Sequence, residues 1–162
     1  MKVNQRQNLS PQRKSISSLA WRQNLGKAGE QYVVNLLLRQ GWQVIERNWH
    51  AGRYAEIDII AYDPEKVLVF IEVKTRMRTI AIGGFENSGF EKLDKRKAHK
   101  LLSCARLYMA HQIVYKKQTN LGCRFDAFVL YYPPLKQNDV ADILSKINQT
   151  EPAVHHIKGF LP

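Results

Sequence analysis

The stretch from Glu56 to Arg76 constrains this chain more than any other. It reads Glu-Ile-Asp-Ile-Ile-Ala-Tyr, then Asp-Pro-Glu-Lys, then Val-Leu-Val-Phe-Ile-Glu-Val-Lys-Thr-Arg. Two apolar runs rich in β-branched residues flank a short turn segment, the pattern of two strands joined as a hairpin. Both runs carry charge where a buried strand should have none: Asp58 in the first, Glu72 and Lys74 in the second. A charge at the inner end of an apolar strand is costly unless it is paired or bound to a metal. Converging carboxylates and a lysine therefore point to a divalent-cation site, and the remaining segments can be read as its support.

Alternation of side chains along a strand puts Glu72 and Lys74 on one face, and Val73 on the other with Val67, Val69 and Ile71. Asp58 must reach the face of Glu72 to share an ion with it. Facing residues of a hairpin have a constant index sum, and side chains share a face only when that sum is even. A two- or four-residue loop centred on Pro64-Glu65 gives an odd sum and strands Asp58 on the wrong face. The shared site thus predicts a three- or five-residue loop, or a β-bulge near Asp58.

The rest of the chain reads as follows. Residues 1–22 are polar and basic, with Lys2, Arg6, Arg13, Lys14 and Arg22 and no acid, and read as a mobile tail ahead of one domain over 23–162. Residues 24–40 form a helix capped by Asn24 and closed by Gly41, with Tyr32, Val33, Leu36 and Leu37 as its apolar stripe. Glu30 lies near that stripe, either as a site carboxylate or as an acid favoured by the helix dipole. A first strand spans 42–49 and a turn 51–53. Residues 77–90, with Gly83, Gly84 and Gly89, form a loop bordering the charged strand end. A second helix over 91–110 places Leu93, Leu101, Ala105 and Met109 on one stripe. Lys97 falls on that stripe too, aimed along the core toward the sheet or snorkelling to water. Residues 111–123 read as a basic connection and 124–132 as a strand ending at Pro133-Pro134. Beyond the core of 24–132, residues 133–162 form an extension with a short helix near 139–147 and an edge strand at Val154–Ile157. Two-period and 3.6-period segments in this order imply an α/β fold of three layers, a mixed sheet flanked by helices.

The charge balance narrows the partners. There are 25 Lys+Arg against 14 Asp+Glu, a net charge of +11. Such a surplus draws polyanions, nucleic acid first. Cys104 and Cys123 lack CxxC spacing and read as buried thiols of a reducing compartment. No apolar run spans a bilayer and the N-terminus has no secretory pattern, so a cytoplasmic protein without membrane contact is expected.

If Asp58 and Glu72 meet, two carboxylates can hold Mg²⁺, with Mn²⁺ as a substitute, and Glu30 can add a third through water. Lys74 can then orient an attacking water or hold charge on a phosphate in flight. Glu56, Arg76 and Lys97 stand around this set as supporting or phosphate-contacting groups. The plain alternative is a salt bridge among Asp58, Glu72 and Lys74.

Asp58 followed by Glu72-x-Lys74 resembles the PD-(D/E)xK signature of the restriction-endonuclease-like superfamily. A wider pattern resembles the YraN-like family of predicted endonucleases, related in fold to archaeal Holliday-junction resolvases. It comprises Gly26-x-x-Gly29-Glu30, Gly41, Asn48-Trp49, Glu56-Ile57-Asp58-Ile59-Ile60, Phe70-Ile71-Glu72-Val73-Lys74-x-Arg76, Lys97-x-x-x-Leu101-x-x-x-Ala105 and Arg124-Phe125-Asp126. The resemblance implies an αβββαβ core and a Mg²⁺-dependent endonuclease. In it Asp58 and Glu72 bind metal, Lys74 is catalytic and Glu30 is a helix-borne carboxylate. Ala55 stands where the family usually has glycine. Three functions follow as expectations: a nuclease acting on DNA, branched or damaged structures included; a non-catalytic nucleic-acid-binding module; and an interaction component of a DNA recombination or uptake system. A homodimer is compatible with the chain, although no apolar stripe is surplus to the core.

Overall fold

The computed structural model describes residues 18–50, 52, 56–77, 95–116, 122–134, 145–147 and 149–161. The elements run α1 (Ser18–Arg39), β1 (Gln43–His50), β2 (Glu56–Tyr62), β3 (Leu68–Met77), α2 (Lys95–Lys116), β4 (Cys123–Tyr132) and β5 (Ala153–Leu161). The strands form one mixed sheet in the order β1-β2-β3-β4-β5. Among the described strands only β3 and β4 run parallel, and α2 lies in the crossover between them. This is the three-layer α/β arrangement expected, with α1 on one face of the sheet and α2 on the other.

The alternation along β3 explains the two layers of core. Val69 and Ile71 pack under α1 with Leu25, Val33 and Leu37. Leu68 and Phe70 pack under α2 with Leu101, Cys104, Ala105 and Tyr108. Val73 and Val67 fall on the α1 side, as alternation requires. Tyr108 fixes α2 to the sheet through edge-on contacts with Trp49 (5.3 Å between ring centroids) and Phe70 (5.8 Å).

Several boundaries differ from the sequence expectations. α1 begins at Ser18 rather than near residue 24, so Asn24 lies inside the helix and does not cap it. Trp21 packs against the core and Leu25 is buried one turn later, and this apolar pair extends the helix into the supposed tail. α2 continues to Lys116, so 111–116 is helix and not connection. Cys104 is buried as expected, but Cys123 opens β4 and is exposed. The edge strand β5 is longer than Val154–Ile157, because Asp126 ties Gly159 and His156 to β4. Gly41 has φ +79, the left-handed closure expected after α1. Residues 1–17 of the expected tail, 78–90 of the expected loop and 91–94 of the expected second helix lie outside the described residues, as do Ala55 and residues 135–144.

One glycine decides how closely α1 approaches the sheet. Leu25, Gly29, Val33 and Leu37 follow at four-residue spacing on the buried side of α1. A Cβ at Gly29 would overlap Thr75 Oγ1 and stand 3.1 Å from Thr75 Cβ. Gly29→Ala is expected to lower stability by about 1–3 kcal/mol through this overpacking. Urea denaturation checks it, and Thr75→Ala on the same chain should recover part of the loss.

Candidate active site

The β2–β3 turn sets the register on which the site depends. Five residues, Asp63 to Val67, separate the paired ends Tyr62 and Leu68. Asp63 accepts from Val67 N through its side chain (2.9 Å), its own N–H reaches Val67 O (3.1 Å), and Lys66 adopts φ 66. The turn therefore closes as an odd loop and gives the even register: Ile59 faces Ile71 and Ile60 faces Phe70. Carried one step further, that register puts Asp58 opposite Glu72.

The regular ladder stops at that step. Asp58 Oδ2 accepts a hydrogen bond from Val73 N at 2.6 Å, capping a backbone group of the neighbouring strand. Alternation also breaks here. Ile57 packs with Ile60 on the α2 side, while Ile59 packs on the α1 side. In β1 the break is matched by Asn48, which has φ 49, a conformation that asparagine tolerates better than most residues. The irregularity is of the kind that re-aims a side chain beside a site.

The charges around Asp58 come from three elements. Glu72, buried in β3, is paired with the Lys97 ammonium from the first turn of α2. Lys97 shares the row of Leu101 and Ala105, which directs its stem toward the sheet, while 40% of its side chain stays exposed. Burial first, and then the Glu72 charge, push the Asp58 carboxyl up to about 7. Glu30 also contributes to that rise, and Lys97 opposes it. Lys74 is partly buried, and burial followed by the nearby Lys97 charge lowers its pKa. Lys74 and Lys97 are thus two cations set about two carboxylates.

Glu30 and Glu56 form a second acidic pair beside the first. Burial and the Glu56 charge raise the Glu30 carboxyl. Asn48, with its amide nitrogen turned toward both, donates to Glu30 Oε2 (3.1 Å) and Glu56 Oε1 (3.3 Å). His50 Nε2 lies 3.7 Å from Glu56 Oε1. Sequence reasoning had Asn48 only as part of a resemblance and gave it no role. Its signal was a small amide residue interrupting a strand, which becomes meaningful only once Glu30 is folded against it. Arg76 is exposed two residues beyond Lys74. Among the described residues no three carboxylate, imidazole or thiol groups gather into a ready-made metal cage.

A separate polar network was also missed. Asp126, fully buried on the α1 side of β4, accepts from Arg124 Nε (3.0 Å), His156 Nε2 (2.8 Å) and Gly159 N (3.1 Å). Arg124 Nη1 also reaches Asp63 Oδ2 at 2.6 Å, which ties this network to the β2–β3 turn. Burial would raise the Asp126 carboxyl, but the hydrogen bonds from His156, Arg124 and Gly159 hold it below the ordinary range. The network thus supports the turn that sets the register of Asp58.

Comparisons with known proteins agree with this core. The family model described as "Uncharacterised protein family UPF0102" matches residues 29–130, a span that holds Glu30, Asp58, Glu72, Lys74, Lys97 and Asp126. A UPF0102 protein of Pseudomonas syringae pv. syringae is 35% identical over 113 residues, covering 70% of this chain and 84% of its own length. One from Desulforamulus reducens is 33% identical over 122 residues, covering 75% and 91%. UPF0102 protein sll0189 of Synechocystis sp. is 31% identical over 109 residues, 67% of each chain. With a matched span of more than half its length and relatives of this similarity, the chain belongs to the UPF0102 family.

Proposed function

We propose that this protein is a metal-dependent endonuclease that hydrolyses phosphodiester bonds of nucleic acid, DNA first. The observation that carries the reading is the even β2–β3 register, which, carried one step past Ile59 and Ile71, brings the half-buried Asp58 carboxylate beside the buried Glu72, with Lys74 two residues on. The likeness of Asp58, Glu72-x-Lys74 to the PD-(D/E)xK signature, and the α/β sheet flanked by helices, support the same reading.

The donor set fits a hard divalent cation, Mg²⁺ or Mn²⁺. Asp58 and Glu72 offer carboxylate oxygens, which such cations prefer. Burial and then their mutual repulsion raise the Asp58 carboxyl, and a cation would relieve both. When bound, the cation supplies Lewis acidity toward a phosphate oxygen and an acidified water. The chain's own groups do the remainder. Asp58 and Glu72 would hold the ion, with Glu30 of α1 as a further carboxylate beside them. Lys74 presents its Nζ to the water or to the phosphate oxygen on which charge grows. Exposed Arg76 and the net charge of +11 favour the approach of a polyanion.

The test uses the full chain with plasmid, single-stranded and four-way-junction DNA, in Mg²⁺, Mn²⁺ or EDTA, beside Asp58→Ala and Lys74→Ala. Cleavage that needs metal and falls at least about a hundredfold in both variants is expected. DNA binding with no cleavage under any metal would replace this reading with that of a binding module.

A further inference from the structure

We propose that the Lys97 ammonium is a built-in counter-ion of the carboxylate pair, which a divalent cation displaces when it binds. The inference rests on the metal-site reading of Asp58 and Glu72, and it concerns what occupies those carboxylates before the ion arrives.

Glu72 is only 8% exposed, and a carboxylate so placed needs a cationic or hydrogen-bonding partner. The structure gives it Lys97. Two lysines stand near the pair, but they are not equivalent. Lys74 belongs to the same strand as Glu72, and its backbone is held in register opposite Val129 of β4. Its ammonium is the one the proposed reaction keeps beside the water or the phosphate once the ion is bound. Lys97 comes from another element, the first turn of α2, on a four-carbon stem with 40% of the side chain exposed. Rotations along that stem carry the ammonium from Glu72 to solvent while α2 stays docked through Leu101, Ala105 and Tyr108. There it joins the exposed Arg96, His99 and Lys100 on the same helix end. A divalent cation and an ammonium compete for the same carboxylate oxygens, so each must weaken the other's hold. Lys97 therefore keeps the pair tolerably compensated in the ion-free chain, at the cost of metal affinity.

Isothermal titration of the metal-free full chain with Mg²⁺, and separately Mn²⁺, measures the competition directly. Lys97→Met, which retains the apolar stem, is expected to bind either ion about five- to tenfold more tightly than wild type. Lys97→Arg, which keeps the charge, should bind within about twofold of wild type. A second readout follows Lys97 itself. Reductive methylation of wild type, quantified by peptide mass spectrometry, should modify Lys97 at least about threefold faster in Mg²⁺ than in EDTA. In Glu72→Gln it should be fast in both. Glu72-dependent Mg²⁺ binding with no tightening in Lys97→Met would overturn the proposal and leave the metal site standing. Mg²⁺ binding that Asp58→Asn and Glu72→Gln do not weaken would overturn both.

Discussion

Asp58→Asn is expected to melt roughly 5 °C or more above wild type at pH 8 in EDTA, while the proposed metal-dependent DNA cleavage falls by at least about a thousandfold. Both effects have one cause. The Asp58 carboxyl is raised to about 7 by burial and by Glu72, whereas in the unfolded chain it titrates near its ordinary value. Between about pH 4 and pH 7 the folded chain keeps a proton that the unfolded chain has released. Stability contributed by this group is therefore lost as the pH rises through that window, and the loss is complete above it, at a few kcal/mol. The asparagine variant keeps an acceptor for Val73 N and carries no charge, so it escapes the loss. Its advantage should shrink toward zero as the pH is lowered to about 4. Groups common to both chains, Asp126 among them, cancel in the difference. Differential scanning calorimetry from pH 4 to pH 8 checks the slope. If the proposed metal site holds, added Mg²⁺ should raise the melting temperature of wild type at pH 8 and that of the variant much less, because the ion then needs both carboxylates. A variant that melts below wild type at pH 8 and above it at pH 5 would refute the assignment of Asp58 as the strained member of the pair.

Asp126→Ala should be the most destabilising single change on the other face of the sheet, by about 3–5 kcal/mol. The variant removes the acceptor for Arg124, His156 and Gly159 N together. Arg124 retains Asp63, but His156, stacked on Phe128 at 4.0 Å, loses its carboxylate, and Gly159 N loses its acceptor. Denaturant unfolding should report the global loss. Hydrogen exchange should find the amides of β5 opening first, since β5 is an edge strand and loses two of its ties to β4. Glu72 turns toward α2 and Asp126 toward α1, and Arg124 keeps its tie to Asp63 of the β2–β3 turn. Mg²⁺ affinity of the folded variant should accordingly stay near the wild-type value. Exchange that accelerates around Asp58 rather than in β5 would show that the network's main role is to brace the β2–β3 turn.

These two residues show how unevenly the molecule could be read in advance. Asp58 stood out because a charge inside Glu-Ile-Asp-Ile-Ile breaks the apolar run. Asp126 sits in an equally apolar run, Arg-Phe-Asp-Ala-Phe-Val, and was noticed only through a resemblance. Its partners His156 and Gly159 lie thirty residues on, and no local pattern connects them. Helix ends were misjudged for a related reason. Trp21 packs against the core and Gln112 is buried only once α2 is docked, so composition around residues 18–22 and 111–116 looked too polar for a helix.

What the sequence alone determined is set by short-range periodicity and charge. Alternation within β3 decided that Glu72 and Lys74 share a face and that Val69, Ile71 and Val73 take the other. The order of elements decided the α/β class, and the parity of the turn defined what the register had to be for a shared site. Only the tertiary structure decided that the turn does close over five residues, that the alternation breaks at Asp58, and that Lys97 and Asn48 arrive at the acids from α2 and β1. Those outcomes depend on contacts between segments far apart in the chain. Their energies arise from burial and from charges brought together by the fold, and no window of neighbouring residues contains them.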